Sequence, residues 1–176
     1  MKRLGIALAL VCSATGAAKA DWAYTKWGMT PAQVTGAAKN LTKKNSDLHP
    51  DSDGNVTKLV APYKSGKFSF EAQFGFDPAD RLSSVTLVLK DKSAAMDMGM
   101  DMGADMNMKM DQDVCHDLGA SVKTQYGPRQ GGGAAHALYS IETWQDQKSS
   151  NDIEYAVLSG VGCDVEYSVV KPAGAH

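Results

Sequence analysis

Seven of the chain's nine methionines fall between residues 96 and 110, as Met96, Met98, Met100, Met102, Met106, Met108 and Met110. A thioether sulfur is a soft, neutral ligand that suits Cu(I) or Ag(I) and serves hard ions poorly. Unlike a thiolate it binds without losing a proton, and it forms no disulfide in an oxidising compartment. Methionines two residues apart on an extended or flexible backbone can bring both sulfurs to one ion. Asp97, Asp101 and Asp105 add negative charge that concentrates cations. The plain alternative is a neutral insertion made by slippage of a short Asp-Met-Gly unit, since no histidine or cysteine within the run closes a site. A membrane-seeking role fails, because interleaved aspartates leave no clean lipid-facing side. Gly99 and Gly103 weaken both strand and helix. The run is read as a flexible Met/Asp-rich insertion, residues 91–112.

Other reaction machinery is sparse. There is no G-x-S-x-G, no H-E-x-x-H, no phosphate loop ending in Lys-Ser/Thr and no paired Cys-x-x-Cys. The run GGGAAH (131–136) follows a helix and leads into a strand, the wrong order for a nucleotide loop. The run DSDGN (51–55) offers calcium-like oxygens, but its glycine is fourth rather than sixth and Pro62 stands where the twelfth-position glutamate belongs. It reads as a turn. His49, His116, His136 and His176 are scattered. His116 would form a nucleophile–base pair with Cys115 only if that thiol were free. The chain is expected to be non-catalytic, with no catalytic or cofactor-binding residues.

The N-terminus argues for export. Lys2 and Arg3 precede an apolar run from Leu4 to Val11, and Ala18-Lys19-Ala20 has the small-x-small pattern that signal peptidase prefers. Cleavage is expected after Ala20. Cys12 follows Val11, not the small residue a lipobox requires, and no run is long enough for a transmembrane helix. Eighteen basic against twenty acidic residues give a net charge of −2, which implies no nucleic-acid partner. Cys115 and Cys163 remain after cleavage, and in a periplasmic or secreted chain they are expected to form a disulfide rather than two buried thiols.

The elements that would position these residues follow a repeated order. Thr30 is a plausible N-cap with Pro31 at the first helical position, followed by Val34, Ala37, Ala38 and Leu41 at helical spacing. Trp27 and Met29 precede the cap as a hydrophobic staple. VTKLVAPY, KFSFEAQFGF and RLSSVTLVLK then read as an antiparallel meander, the middle strand alternating Phe68, Phe70, Ala72, Phe74 and Phe76 with polar residues or glycine. In the second half, DVCHDLGASVKTQYGPR reads as a helix with Cys115, Leu118, Val122 and Tyr126 on one face and Gly127-Pro128 as its stop. Three strand-like runs follow, ALYSIETWQD, NDIEYAVLSG and CDVEYSVV. The pairing of Cys115 with Cys163 would pin that helix to the last strand.

In this order the chain resembles the tandem αβββ architecture of the β-lactamase-inhibitor and BamE-like folds. WGMTPAQV before the first helix and LGASVKTQYGP in the second are similar to phrases found there, and to small exported bacterial proteins with a W-G-M-(T/S) opening. The resemblance implies a sheet with two helices, used as a binding surface, and brings no catalytic residues. The expectation is an α+β chain. It has a signal peptide (1–20), a first αβββ half (21–90), the Met-rich insertion (91–112) and a second αβββ half (113–176) within one globular domain. The expected role is a non-catalytic envelope binding protein with a protein partner. Binding or buffering of copper or silver by the methionines is the alternative.

Overall fold

Strands whose side chains alternate between apolar and polar residues bury one face and wet the other, and this sequence supplies six. The computed structural model describes residues 21–90, 104–132, 139–159 and 161–170, with the backbone alone for 21 and 104–111. The expected signal peptide and Met96, Met98, Met100 and Met102 lie outside the described residues. Among the described residues the fold is α+β, a seven-stranded antiparallel sheet with two helices and a separate two-stranded hairpin.

The chain opens on a short hairpin of β1 (Asp21–Trp22) and β2 (Thr25–Lys26), which leads into α1 (Pro31–Ala37). Thr30 caps α1 as expected, and Gln33 completes a capping box: its side chain accepts from the Thr30 N–H at 2.8 Å. The helix ends earlier than the apolar spacing suggested. Lys39 and Asn40 turn the backbone to positive φ, so Leu41 leaves the stripe and is 59% exposed. A two-residue strand β3 (Lys43–Lys44) then pairs with β4 (Val56–Ser65). β4, β5 (Phe68–Phe76) and β6 (Leu82–Leu89) form the first meander.

The second helix, α2, spans Ala104–Tyr126 and starts well before Asp111. Residues 104–112, expected at the end of a flexible insertion, are therefore helical, and Met106, Met108 and Met110 stand on helical backbone. Alanine, methionine, lysine and glutamine are strong helix formers, which outweighs Asp105, Asn107 and Asp111, and Gly99 and Gly103 both precede the helix. β7 (Tyr139–Asp146), β8 (Asn151–Leu158) and β9 (Gly162–Val169) make the second meander. The two meanders join through β6 and β9, giving the order β3-β4-β5-β6-β9-β8-β7.

One face of this sheet carries the core: Phe70, Phe74, Val85, Val165, Ile153 and Trp144 are all at most 4% exposed. Val34 of α1 and Leu118 and Val122 of α2 pack into the same cluster, each worth roughly 1.5–3 kcal/mol when fully buried. Cys115 and Cys163 are disulfide-bonded with Cα atoms 5.7 Å apart, tying α2 to β9. The Tyr155 hydroxyl donates to the Cys115 carbonyl at 2.5 Å, and Trp144 Nε1 donates to the Gly127 carbonyl at 2.9 Å. Gly119 lets helix and sheet meet, since a Cβ there would lie 2.9 Å from the Tyr155 ring. No described helix is long and apolar enough to cross a membrane.

Candidate functional site

Period-two spacing places Asp152 and Glu154 of β8, and Asp164 and Glu166 of β9, on the face away from the helices. The register then gathers them. Glu166 stands opposite Glu154 on one side and Thr86 on the other, while Asp152 faces Ser168 and Asp164 faces Ala156. Directly opposed side chains in antiparallel pairs have Cβ atoms about 4.5–5.5 Å apart, and like charges there destabilise.

The turn at residues 51–55 closes one rim of this face. Asp51 Oδ1 accepts from the N–H groups of Asp53 and Asn55 at 2.8 and 2.9 Å, and its Oδ2 accepts from Asn55 Nδ2 at 3.0 Å. Burial works against ionisation of Asp51, but the Asn55 side chain and these N–H groups win and hold it below the usual carboxylate range. The fragment DSDGN is therefore the turn its sequence suggested. Gln130 and Gly131 close another rim by pairing with β7, the Gly131 N–H donating to the Thr143 carbonyl at 3.2 Å. A Cβ at Gly131 would lie 2.7 Å from Thr143 Oγ1, so this end of the glycine run is a strand-hugging connector.

Between these rims lies a concavity of about 660 Å3, floored by Asp152, Glu154, Glu166 and Ser168. A second hollow of about 450 Å3 shares Asp53, Asp152, Glu166 and Ser168 and continues towards Asp77. No lysine or arginine lines either of them among the described residues. Gln145 Nε2 donates to Asp152 at 3.0 Å. Glu154, Asp164 and Glu166 have no ion pair or side-chain hydrogen bond among the described residues.

The electrostatic consequence is a pair of reluctant acids. Burial, then the charge of Glu154, pushes Asp164 up to about 6. Burial, then Glu154, Asp164, Asp51 and Asp53, pushes Glu166 up to about 7. Of the two, Glu166 lines the concavity, and a carboxylate poised near neutrality there marks a candidate functional site.

The residues singled out from sequence are distributed differently. Met106, Met108 and Met110 begin α2, and Met96, Met98, Met100 and Met102 are undescribed. Among the described residues, no group of three or more histidines, cysteines or acidic residues is arranged to hold a metal ion. Cys115 is bonded to Cys163, so no free thiol pairs with His116. His49 lies 3.6 Å from Asp47 on the exposed surface, and His136 and His176 are outside the described residues. The acidic face was missed by motif reading, although the alternations D-I-E in NDIEYAVL and D-V-E in CDVEYSVV were visible. No protein-family model, curated protein or solved structure matches this chain.

Proposed function

We propose that this chain is an exported, non-catalytic binding protein of the bacterial envelope, and that its open sheet face receives a cationic segment of a protein partner. One observation carries this reading: Asp152, Glu154 and Glu166 line a concavity with no lysine or arginine among its described lining residues, and Asp164 stands on the same sheet face. Such a surface is costly to the isolated chain and favourable to a partner that brings lysine or arginine. Export is supported by the N-terminal 20 residues and by the cysteine pair. Setting aside the two-residue β3, α1 precedes the β4–β6 meander and α2 the β7–β9 meander, which supports a duplicated αβββ unit and the tandem resemblance.

Fluorescence anisotropy with a labelled lysine octapeptide tests the site. Saturable binding is expected at low ionic strength, weakening steeply with salt because the Debye length contracts to about 8 Å near physiological strength. The double variant Glu154→Gln/Glu166→Gln should lose about tenfold in affinity, the equivalent of roughly 1.4 kcal/mol. A polyaspartate peptide should not bind. Absence of binding to the wild-type chain, or equal binding by the double variant, removes this reading.

A second reading rests on the methionine run alone, whose seven thioethers in fifteen residues suit Cu(I) or Ag(I) in an oxidising compartment. Titration with Cu(I) against a competing chelator should show sub-micromolar binding that disappears when the seven methionines are replaced by leucine. Equal competition by both forms rules out the methionines as the ligands.

A further inference from the structure

The acidic face has an apolar corner. Of the seven large hydrophobic residues exposed on the described surface, three fall together there: Tyr139 at 39%, Leu158 at 46% and Val161 at 74%. Leu158 stands an even number of residues from Glu154 and Asp152, so all three side chains leave β8 on the side away from the helices. The register sets Leu158 between Tyr139 of β7 and Gly162 of β9. Gly162 brings no side chain to cover Leu158, and a Cβ there would meet nothing within 4 Å. The Val161 N–H donates to the Leu158 carbonyl at 3.0 Å, which keeps Val161 in the β8–β9 turn beside this corner. The next pair inward on the same face is Ile141 with Ala156, both half-buried, and beyond it lies Glu154.

Resting on the reading of the acidic face as a cationic docking surface, we infer that the partner's segment also carries a large apolar side chain. That side chain seats on Leu158 and Val161 while the segment's lysine or arginine reaches Glu154 and Glu166. Leu158 and Glu154 are four residues apart on one strand, roughly 13 Å, a span that four residues of an extended segment cover.

Charge decides among the occupants of this corner. A second copy pairing isologously here would bring its own Glu154 and Asp164 towards those of the first, and like charges oppose that. Lipid headgroup surfaces recruit basic faces, not acidic ones. An uncharged apolar partner would desolvate the neighbouring carboxylates without offering a counter-charge. A cationic segment with one apolar anchor matches both parts of the surface, and exposed apolar patches rimmed by polar residues mark interaction sites.

Fluorescence anisotropy of the full chain with two labelled probes tests this: the lysine octapeptide, and the same peptide ending in two leucines. The leucine-bearing probe is expected to bind the wild-type chain about tenfold more tightly, as burial of one apolar side chain allows. Leu158→Ser/Val161→Ser should abolish that gain and leave the affinity for the lysine octapeptide unchanged. Val161→Ser alone, at the most exposed position, should remove part of the gain and serves if the double variant folds poorly. Glu154→Gln/Glu166→Gln should weaken both probes equally. Equal affinity of the two probes for the wild-type chain, or a gain that persists in both serine variants, overturns the inference and leaves the acidic-face reading standing. Failure of the lysine octapeptide to bind at all removes that reading, and this inference with it. Three further results would give the corner to another occupant and overturn the inference, if Leu158→Ser/Val161→Ser abolishes them: binding of a polyaspartate ending in two leucines, capture by phosphatidylcholine vesicles, or dimerisation in sedimentation velocity.

Discussion

Replacing Cys115 and Cys163 together by alanine is expected to lower the unfolding free energy by about 4 kcal/mol. The crosslink spans a sequence separation of 48, and closing a loop of that length removes much of the entropy of the unfolded chain. Alanine is the appropriate replacement because both cysteines are buried, at 4% and 6% exposed, and a serine hydroxyl would need a partner there. What still holds α2 is a modest set. Leu118 and Val122 are buried, Tyr155 and Trp144 donate to the Cys115 and Gly127 carbonyls, the Lys67–Asp117 pair is exposed, and Lys123 meets Glu142 at 2.9 Å. Exposed ion pairs contribute at most about 1 kcal/mol each. Against a total stability of roughly 5–15 kcal/mol, losing the crosslink should leave α2 the first element to open. Urea unfolding of the oxidised wild type and the double variant measures the difference. Equal midpoints with equal slopes would show that the crosslink contributes nothing.

That expectation was legible in the sequence, because the cysteine count, the signal-like pattern of the first 20 residues and the helix face all pointed to the same pair. The strands were legible for a similar local reason: Phe68, Phe70, Phe74 and Phe76 announce a buried face through period two alone. The start of α2 was less accessible. Aspartates and glycines suggested a loose arm, yet the Ala104–Met110 stretch has enough helix formers to extend the cooperative unit that begins at the buried Cys115. The hairpin at Asp21–Lys26 and the two-residue β3 were too short to leave any periodicity. The acidic face depended on something that one strand cannot encode. Asp152 and Glu154 look like ordinary solvent-facing residues of β8, as do Asp164 and Glu166 of β9. Only the register Glu154↔Glu166, the central β6–β9 junction and the 51–55 rim bring them together. Composition concealed them as well, since a net charge of −2 averages over a surface that is locally far more acidic.

Lowering the pH from 8 to 5 should stabilise this protein, against the usual acid behaviour of folded chains. Asp164 at about 6 and Glu166 at about 7 each sit roughly two pH units above their unfolded values near 4. Between about pH 4 and 7 the folded state therefore binds more protons than the unfolded state, and stability falls as pH rises through that window. Above about 7 both states are ionised and this loss is complete. For either carboxyl it is on the order of 3 kcal/mol. Because Glu154 raises both, the two losses are not additive. Asp51, Asp117 and Asp146 are held below the usual range. Their contributions have the opposite sign, being present above about pH 4 and lost as pH falls further. The stability maximum is thus expected between about pH 4 and 5. Urea midpoints at pH 5 and 8 read the effect directly, and Glu166→Gln should raise the pH 8 midpoint while flattening the profile. A wild-type profile that is level or rises from pH 5 to 8 would show that Asp164 and Glu166 ionise freely. The lysine octapeptide couples to the same protons. By favouring the ionised carboxylates it should bind more tightly at pH 8 than at pH 5, restoring stability where the isolated chain is weakest.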